Sequence, residues 1–363
     1  MEYNALTLNG THYSKDELEK YVNGRLNSNT LKEHEQSLFV FIKEWIAKGD
    51  ILSVKTSGST GTPKQIVVQK SQMIESAKIT CDYFKLSAET NALHCLSTDF
   101  IAGKMMVVRA FVSGFNLITV KPDNNPLATI NQKVHFAAMI PFQVQKALTK
   151  KNTKEIFESI DNVIIGGAPV SHSFEQVLAS FPNNVYATFA MTETLSHIAL
   201  RKLSGKNRSE LFELLPGIKI SVNKDGCLVI DAPRLNEDLI VTNDVVEIRD
   251  ATHFKWLGRH DNVINSGGVK MYPEKMEEIL SSVIKDHRYF ITSLEDKEFG
   301  EKVVLVMEGA TKDEIAQIKS DAENVLGKYE KPREYLTVPK FVETPNGKVK
   351  RKETLLAAHG IKQ

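Results

Sequence analysis

Short apolar runs alternate with amphipathic segments through the middle of the chain, and this rhythm predicts its architecture. Compact apolar runs bounded by turn residues are typical of buried strands, and apolar positions three or four apart are typical of helices. The predicted strands are ALHCLS, FNLITV, HFAAMI, DNVIIGG and NVYATFAM, and the predicted helices are GKMMVVRAFVSG, PFQVQKALTK and SHSFEQVLASF. Strands that alternate with helices build a mostly parallel sheet with helices on its faces, so the predicted fold class is α/β.

The pattern changes twice in the second half of the chain. After Leu200 the short strands IKISV, CLVI, DLIVT and VVEIR are spaced by turns such as NKDG, which predicts a small antiparallel barrel or sheet. From Pro273 onward a helix, two strands, a second helix and a final strand follow one another, which predicts a compact α+β unit. The seam between the two patterns lies at residues 258–262.

The composition favours a globular protein without a polyanionic partner. The chain has 363 residues, 42% of them hydrophobic, which is enough for more than one core. Its 46 basic and 45 acidic residues give a net charge of +1, whereas nucleic-acid binders usually carry a basic excess. Cys81, Cys95 and Cys227 are scattered, so neither a disulfide framework nor a zinc site is indicated.

Targeting signals are not predicted. The N-terminal residues lack the basic and then apolar layout of a signal peptide. No run reaches the roughly 18 apolar residues of a membrane-spanning helix. The expected location is therefore the reducing cytoplasm, without membrane insertion.

The stretch VKTSGSTGTPKQIVV, residues 54–68, interrupts β-branched residues with Ser, Thr, Gly and Pro. An ordinary hairpin loop, a Ser/Gly linker and a phosphate cradle are all compatible with this composition. Glycine lets successive backbone N–H groups converge on a phosphate, and Lys64 adds a positive charge. The spacing excludes the P-loop of nucleotide-binding ATPases, because only two residues separate Gly58 from Gly61 and Gln65 follows Lys64.

The segment TSGSTGTPK closely resembles the signature loop of the adenylate-forming superfamily, which includes acyl-CoA synthetases and amino-acid adenylation domains. Its members activate a carboxylate with ATP as an acyl-AMP and usually pass the acyl group to a thiol. The resemblance implies ATP, Mg²⁺ and coenzyme A as the reaction partners. It also implies ATP-phosphate contacts by Thr56, Ser57, Gly58, Ser59, Thr60, Gly61 and Lys64.

Two further segments resemble the nucleotide-binding motifs of that superfamily. IIGGAPV is similar to the segment that walls the adenine pocket and implies contacts by Gly166, Gly167 and Ala168; a tight strand-to-helix turn is the alternative. ATFAMTET is similar to the motif YGMTET. By that resemblance Phe189 stacks on adenine, Thr192 contacts the α-phosphate and Glu193 helps to hold Mg²⁺. A helix cap with an acidic first turn is the alternative interpretation of MTET.

The motifs near the seam resemble the ribose-binding and hinge segments of the same enzymes. LIVTND is similar to the segment with the ribose-binding aspartate, which implies that role for Asp244. GRHDNVINSGGVKMYPEKMEE is similar to the hinge motif, in which Arg259 contacts the ribose or phosphate and Asp261 is the pivot. Gly267 and Gly268 are implied to leave room for the pantetheine arm of coenzyme A.

Near the C-terminus, TPNGKVKR resembles the motif of the catalytic lysine and makes Lys348 the candidate. Asn346-Gly347 predicts a type I′ hairpin turn, so Lys348 is expected beside a rigid tip. A solvated Lys-rich tail is the alternative. The resemblance implies an N-terminal ATP- and acyl-binding domain at 1–258, a hinge at 259–262 and a mobile α+β lid domain at 263–363.

Two features indicate the carboxylate substrate. The compact size of the chain and the segment MTETLSHIAL both resemble what is found in the o-succinylbenzoate–CoA ligases of menaquinone synthesis. Such a substrate keeps a second carboxylate after activation, so its pocket should contain a fixed cation or several donors. The candidates for the acyl end are Lys104, Arg109, Ser196 and His197, together with Phe100, which replaces the usual histidine. Surface charge on an amphipathic helix is the alternative for both cations. Another small aryl- or acyl-CoA ligase, or an adenylating module without CoA chemistry, also fits the motifs.

Overall fold

A computed structural model describes residues 3–55, 65–343 and 349–358. The phosphate-loop residues Thr56, Ser57, Gly58, Ser59, Thr60, Gly61 and Lys64 therefore lie outside the described residues, as does Lys348. The chain forms two compact units. The first unit contains Met1–Val170, Val177–Lys219 and Ile230–Ile240, and the second contains Ser171–Gln176, Ile220–Val229 and Val241–Gln363. The predicted domain boundary after residue 258 and the hinge at 259–262 stay predictions.

Helices and strands are numbered in chain order. The α-helices of the described ranges are α1 (Lys15–Leu26), α2 (Glu33–Ile46), α3 (Lys70–Phe84), α4 (Ile101–Ser113), α5 (Pro141–Ala147), α6 (Lys151–Ser159), α7 (His172–Leu178), α8 (Pro273–Leu280), α9 (Lys312–Val325) and α10 (Arg351–Ala358). Short 3₁₀ turns lie at Pro126–Thr129, Thr192–Thr194 and His260–Asn262.

The strands of the same ranges are β1 (Leu6–Leu8), β2 (Thr11–Tyr13), β3 (Ile51–Lys55), β4 (Gln65–Gln69), β5 (Asn91–His94), β6 (Asn116–Thr119), β7 (Phe136–Met139), β8 (Asn162–Ile165), β9 (Asn184–Ala190), β10 (His197–Lys202), β11 (Phe212–Leu214), β12 (Lys219–Val222), β13 (Cys227–Asp231), β14 (Ile240–Ile248), β15 (His253–Arg259), β16 (Ile264–Ser266), β17 (Val269–Met271), β18 (Tyr289–Asp296), β19 (Gly300–Glu308) and β20 (Glu334–Val338).

Helix boundaries follow local sequence signals. Ser14 precedes α1, and its backbone N–H donates to the Glu17 carboxylate at 2.9 Å, as in a capping box. Pro141 and Pro273 occupy the first turns of α5 and α8, where a missing N–H costs no hydrogen bond. Gly114 ends α4 with a left-handed φ of 74°.

The first unit is built on a mostly parallel sheet, as the alternation of strands and helices predicts. Its strand order is β2-β1-β6-β5-β7-β8-β9-β10-β11. The neighbours from β1 to β9 pair in parallel, whereas β2, β10 and β11 pair antiparallel to their neighbours. The central strands are buried over nearly their whole length, which explains why they are continuous apolar runs in the sequence. The predicted α/β fold class is confirmed.

The second unit contains an α+β arrangement after Pro273. Strand β19 pairs antiparallel with β18 and parallel with β20, and the hairpin β16–β17 joins at its edge. Helices α8 and α9 contribute Met276 and Ile318 to a core with Leu305. The predicted order of helix, two strands, helix and strand in this part of the chain is confirmed. Within the described ranges, every helix is too short or too polar to cross a lipid bilayer.

Several elements differ from the sequence prediction. The two strands predicted as DLIVT and VVEIR form one strand, β14, because the polar Asn243 and Asp244 remain extended and Asp244 already pairs with Arg259 of β15. Strand β15 and helices α3 and α6 were not predicted. In α3 the buried positions include the polar Ser76 and Thr80, so the sequence shows little of the apolar periodicity that marks an amphipathic helix.

A network of charged and polar side chains joins α8, α10 and the turn after β15; we call it the Arg351 network, composed of Arg351, Glu277, Glu274 and Asn262. The two guanidinium nitrogens Nη1 and Nη2 of Arg351 donate to both Glu277 carboxylate oxygens, at 2.7 and 3.0 Å. Glu274 Oε1 lies 3.6 Å from Arg351 Nη2 and accepts from Asn262 Nδ2 at 2.5 Å. The network holds two carboxylates for one guanidinium.

Glu277 is expected to make stability depend on pH. Burial raises the pKa of Glu277 to about 7, opposed by Arg351 and reinforced by Glu274. A carboxyl with a raised pKa keeps its proton in the folded state, so its stabilising contribution is complete below pH 4.5 and is lost as pH rises to about 7. Between pH 5 and 7, urea titrations should show the unfolding free energy of the protein falling by about 2 kcal/mol relative to Glu277→Gln. Parallel pH curves for the two proteins would contradict this expectation.

Candidate active site

Several predicted nucleotide contacts lie at one edge of the parallel sheet. Strand β8 ends at Ile165 and is followed directly by Gly166, Gly167 and Ala168. The neighbouring strand β9 ends at Ala190, just before Thr192. The crevice beyond the carboxyl ends of parallel strands is where open α/β sheets bind ligands. The structure therefore brings these two segments to one ligand-accessible edge.

The glycine pair after β8 has a local structural reason. A Cβ on Gly166 would lie 2.4 Å from Thr188 Oγ1, and that hydroxyl donates to the Ile165 carbonyl at 3.2 Å. Gly167 has a φ of +82°, which L-residues rarely adopt. The tight turn after the strand is thus real, and it leaves Gly167 and Ala168 exposed. Adenine contact by this segment stays a prediction.

Phe189 lies near the end of β9 and is half-buried. Its ring centroid is 5.8 Å from that of Phe212 on β11, with an interplanar angle of 70°. This edge-to-face contact fixes the ring orientation at the edge of the sheet. The predicted stacking of Phe189 on adenine is not tested by these contacts.

The loop between β9 and β10 is tightly constrained. The buried Thr194 hydroxyl lies 3.1 Å from the Met191 carbonyl oxygen and 2.8 Å from that of Ser196. Leu195 has a φ of +64°, an unusual value for a branched residue and a sign of stored strain. The MTET segment is a 3₁₀ turn that leads into strand β10, so it does not cap an α-helix. The Thr192 side chain is half-buried here and that of Glu193 is exposed.

Three of the predicted acyl-site residues lie together in the first unit. Arg109 Nη2 on α4 donates to Ser196 Oγ at 2.5 Å, and Ser196 Oγ is 3.2 Å from His197 Nδ1. The other ring nitrogen of His197 lies 3.3 Å from Thr80 Oγ1 on α3. We call Arg109, Ser196, His197 and Thr80 the Arg109 cluster. Thr80 was missed by sequence reasoning, because no motif marks it and it joins the cluster only through packing of α3.

The Arg109 cluster contains a buried cation that lacks an anionic partner within the described chain. Arg109 is 2% exposed, and its Nε has no hydrogen-bond partner among the described residues. Burial lowers the pKa of Arg109 to about 10. Burial, helped by Arg109, also lowers the pKa of His197 well below its usual range, so this imidazole is neutral at pH 7. A buried, unpaired guanidinium is costly, and a carboxylate ligand would satisfy it.

The remaining acyl-site candidates lie elsewhere. Lys104 Nζ lies over the Phe41 ring, 4.5 Å from its centroid. Five positions separate Lys104 from Arg109, so the two side chains leave α4 about 140° apart around its axis. Phe100 precedes α4 and is 42% exposed. The structure therefore joins Arg109, and not Lys104, to Ser196 and His197.

In the second unit, three predicted residues meet at the end of the β14–β15 pair. Arg259 Nη1 lies 3.7 Å from Asp244 Oδ2, and Arg259 Nη2 donates to Asp261 Oδ2 at 3.3 Å. Trp256 Nε1 donates to Asp244 Oδ1 at 2.9 Å and fixes this carboxylate. Trp256 was also missed by sequence reasoning, since a cross-strand partner is visible only once the register of β14 and β15 is known.

Gly267 and Gly268 form the two-residue turn between β16 and β17. Their φ values are +59° and +81°, as a type I′ turn requires. Gly267 N–H also donates to the Phe299 carbonyl at 2.8 Å. A Cβ on Gly268 would meet no atom within 4 Å, so space lies beside it. The turn explains the glycine pair, and a role toward pantetheine stays a prediction.

The chain on either side of the two undescribed motif segments is paired. Strands β3 and β4 form an antiparallel pair up to Lys55 and Gln65, so residues 56–64 join two paired strands rather than two separate domains. Glu343 and Val349 likewise form an antiparallel bridge across the Lys348 segment. The three predicted alternatives for residues 56–64, a hairpin loop, a linker and a phosphate cradle, fall on residues outside the described ranges and stay predictions.

The donor set at the sheet edge fits a nucleotide-bound Mg²⁺ ion. No group of three or more His, Cys, Asp or Glu side chains in the described part of the chain is arranged to hold a metal. Mg²⁺ that accompanies a nucleotide needs only one or two carboxylates besides phosphate oxygens and water. The exposed Glu193 carboxylate at the end of β9 suits this role.

Comparison with known proteins identifies similar chains. A family model described as AMP-binding enzyme matches residues 16–231, more than half of the chain. The crystal structure of an acyl-CoA synthetase (AMP-forming)/AMP-acid ligase II-like protein from Dyadobacter fermentans is similar, with 32% identity and a TM-score of 0.63. That match covers 94% of this chain and 98% of the other.

Two proteins named for succinylbenzoate are also similar. The 2-succinylbenzoate–CoA ligase of Haemophilus influenzae is 23% identical over 306 residues, which are 79% of this chain and 66% of that enzyme. This chain thus spans about two thirds of the length of that relative. The o-succinylbenzoate CoA synthetase of Bacillus subtilis, solved with ATP and magnesium ion, is 18% identical with a TM-score of 0.71. It matches over 84% of this chain and 69% of its own, and this likeness concerns the fold.

Proposed function

The chain belongs to the AMP-binding enzyme family, and from this premise we propose that it is an AMP-forming acid–thiol ligase acting on o-succinylbenzoate. The reaction converts o-succinylbenzoate, ATP and CoA into o-succinylbenzoyl-CoA, AMP and pyrophosphate in the cytoplasm. The observation that best supports this choice of substrate is the buried Arg109 guanidinium, which is hydrogen-bonded to Ser196. The name of the Haemophilus influenzae relative supports the same substrate.

In the first step a carboxylate oxygen attacks the α-phosphorus of ATP, and the bond to pyrophosphate breaks. Both reactants are anions, so the protein must supply positive charge and alignment rather than a general base. Lys348 bridges the carboxylate and an α-phosphate oxygen, and the 56–64 loop holds the β- and γ-phosphates. Thr192 contacts the α-phosphate. Mg²⁺, held in part by Glu193, offsets phosphate charge when bound.

The contacts to the nucleoside are proposed from the superfamily resemblance. Gly166, Gly167, Ala168 and Phe189 line the adenine, as the superfamily resemblance implies. Asp244 accepts from the ribose hydroxyls, and its carboxylate is already oriented by Trp256. Arg259 contacts the ribose or phosphate from beside Asp244.

In the second step the CoA thiol attacks the acyl carbon, and AMP leaves. The Lys348 segment must withdraw so that the thiol can reach the acyl-AMP. Asp261 absorbs the backbone rotation of the hinge, and the open space beside Gly268 admits the pantetheine arm. These conformational roles rest on the superfamily resemblance.

Recognition of the acyl end follows from the charge of the Arg109 cluster. o-Succinylbenzoate carries two carboxylates, of which only one is activated. The other would pair with Arg109 and remove the cost of its unpaired burial. Because His197 is neutral, its ring acts as a hydrogen-bonding group beside Ser196 rather than as a second cation.

A panel of carboxylates in a pyrophosphate-release assay tests the substrate. We expect o-succinylbenzoate to exceed both 3-benzoylpropionate and 2-butyrylbenzoate, which each lack one carboxylate, by at least about 100-fold in kcat/KM. Equal use of benzoate or of a fatty acid would favour another small aryl- or acyl-CoA ligase. Pyrophosphate release without CoA-dependent product would favour an adenylating module that does not use CoA.

A further inference from the structure

The described residues on either side of the Lys348 segment, residues 344–348, are held by hydrogen bonds within the second unit. Glu343 and Val349 form the bridge described above, and Lys350 N–H donates to the Val342 carbonyl at 2.8 Å. Val342 N–H in turn donates to Thr354 Oγ1 at 3.0 Å. Val349 packs against the small core that contains Phe290 and Phe341. The chain is therefore held in place up to Glu343 and again from Val349.

Arg351 holds the chain that leaves the segment, three residues after Lys348. Its bidentate contact to Glu277 is supported by a bond from Nη1 to the Ile291 carbonyl at 2.8 Å. Ile291 N–H donates back to Glu277 Oε1 at 2.7 Å. The side chains of Arg351 and Glu277 are only 21% and 20% exposed, so this fork is largely removed from water. Two parallel bonds to a carboxylate fix direction as well as distance.

The same network reaches the predicted hinge. Glu274, 12% exposed, lies between Arg351 and Asn262, and Asn262 belongs to the predicted hinge at 259–262. A Cβ on Gly258 would lie 2.4 Å from Glu274 Oε2, so the backbone just before the hinge lies directly against this carboxylate. Glu274 alone therefore connects Arg351 to Asn262, the last residue of the predicted hinge.

We propose that Arg351 is a positioning residue for acyl-adenylate formation, which holds the chain at Val349 and Lys350, directly after Lys348, in a fixed relation to the predicted hinge through Glu277, Glu274 and Asn262. The proposal rests on the proposed function, because it assigns Lys348 the adenylation role. A buried ion network is a poor source of stability compared with apolar packing, whereas its geometry is highly specific. Misplacement of a catalytic group by about 1 Å can cost about 100-fold in rate.

The test compares Arg351→Met, Arg351→Lys and a matched control, Lys302→Met, at pH 8. Lys302 forms a 2.7 Å ion pair with Glu334 in the same unit and lies outside the Arg351 network. Each variant is assayed separately for pyrophosphate release with o-succinylbenzoate and for CoA thioester formation from pre-made acyl-AMP. We expect Arg351→Met to slow the first reaction about 100-fold and the second less than about threefold. Arg351→Lys should recover about tenfold of the first reaction, and Lys302→Met should resemble the unsubstituted protein.

A variant that loses its fold is recognised by its circular dichroism spectrum, and Glu277→Gln then replaces Arg351→Met. Glu277→Gln keeps the shape of the side chain. A loss of about tenfold in the rate of acyl-adenylate formation, with thioester formation unchanged, supports the proposal. Equal losses in both reactions, or no loss in the first, overturn it. If the unsubstituted protein releases no pyrophosphate with any carboxylate of the panel, the proposed function fails together with this inference. An active unsubstituted protein with an equally active Arg351→Met overturns the inference alone.

Discussion

Lys348→Ala will lower the rate of acyl-adenylate formation by about 10²- to 10³-fold while sparing thioester formation from pre-made acyl-AMP. The first reaction brings two anions together, and one fixed cation at the developing charge contributes about this factor. The second reaction joins a thiol to an acyl group that is already activated, and in the proposed mechanism the lysine has no part in it. Pyrophosphate release measures the first reaction, and CoA thioester formation measures the second.

Lys350→Ala is the matched control for this prediction. Lys350 lies two residues from Lys348, and its ammonium pairs with Glu353 at 3.0 Å on the surface. Surface ion pairs of this kind contribute little, so the control should keep both reactions within about twofold. Equal losses in the two reactions for Lys348→Ala would mean that this lysine has no separable role in adenylation.

Arg109→Met is expected to lower kcat/KM for o-succinylbenzoate by about 10²- to 10³-fold and to leave the KM for ATP within about twofold. The reason is that the substituted cluster offers no charge-assisted hydrogen bonds to the second carboxylate. Arg109→Lys keeps the charge but loses the planar fork, so an intermediate loss is expected. Steady-state kinetics with each substrate varied in turn measure both effects.

The preference among substrates shows whether Arg109→Met acts through the lost carboxylate contact or through a general loss of structure. The unsubstituted protein should prefer o-succinylbenzoate strongly over whichever of 3-benzoylpropionate and 2-butyrylbenzoate keeps the activated carboxylate. In Arg109→Met this preference should vanish, while the thermal unfolding midpoint stays equal to or above the original, because an unpaired buried charge is removed. Arg25→Met, which disrupts a partly buried pair with Glu35 in the same unit and outside the Arg109 cluster, serves as the control. A retained preference in Arg109→Met would exclude Arg109 as the carboxylate-binding cation.

The parallel sheet was predictable from sequence because its strands are buried on both faces. Phe136–Met139 and Asn162–Ile165 are short apolar runs, and such runs followed by helices leave few alternatives to a parallel sheet. Helix α3 escaped prediction because Ser76 and Thr80 occupy buried positions, and their burial depends on tertiary packing. Strand β15 escaped because only Phe254 and Gly258 are buried in it, so its sequence contains no continuous apolar run.

The candidate site was predictable where a motif marks it. The match to the AMP-binding family confirms the resemblance on which those motifs were identified. Arg109, Ser196 and His197 were candidates from two separate motifs, and the fold brings them together. Their partner Thr80 and the Asp244 partner Trp256 belong to no motif. The choice of Arg109 over Lys104 needed the helix orientation, and the Arg351–Glu277 contact joins residues far apart in the sequence.

The central claim is that this chain joins a dicarboxylic aromatic acid to CoA through an acyl-adenylate. The most direct measurement is AMP formation from o-succinylbenzoate, ATP, Mg²⁺ and CoA, with each component omitted in turn and the thioester identified by its mass. We predict AMP and o-succinylbenzoyl-CoA in equal amounts in the complete mixture, and neither when o-succinylbenzoate, ATP or Mg²⁺ is left out. Omitting CoA should leave only a single turnover of pyrophosphate, with acyl-AMP retained on the protein. Formation of ADP, or AMP release that does not depend on o-succinylbenzoate, would contradict the claim.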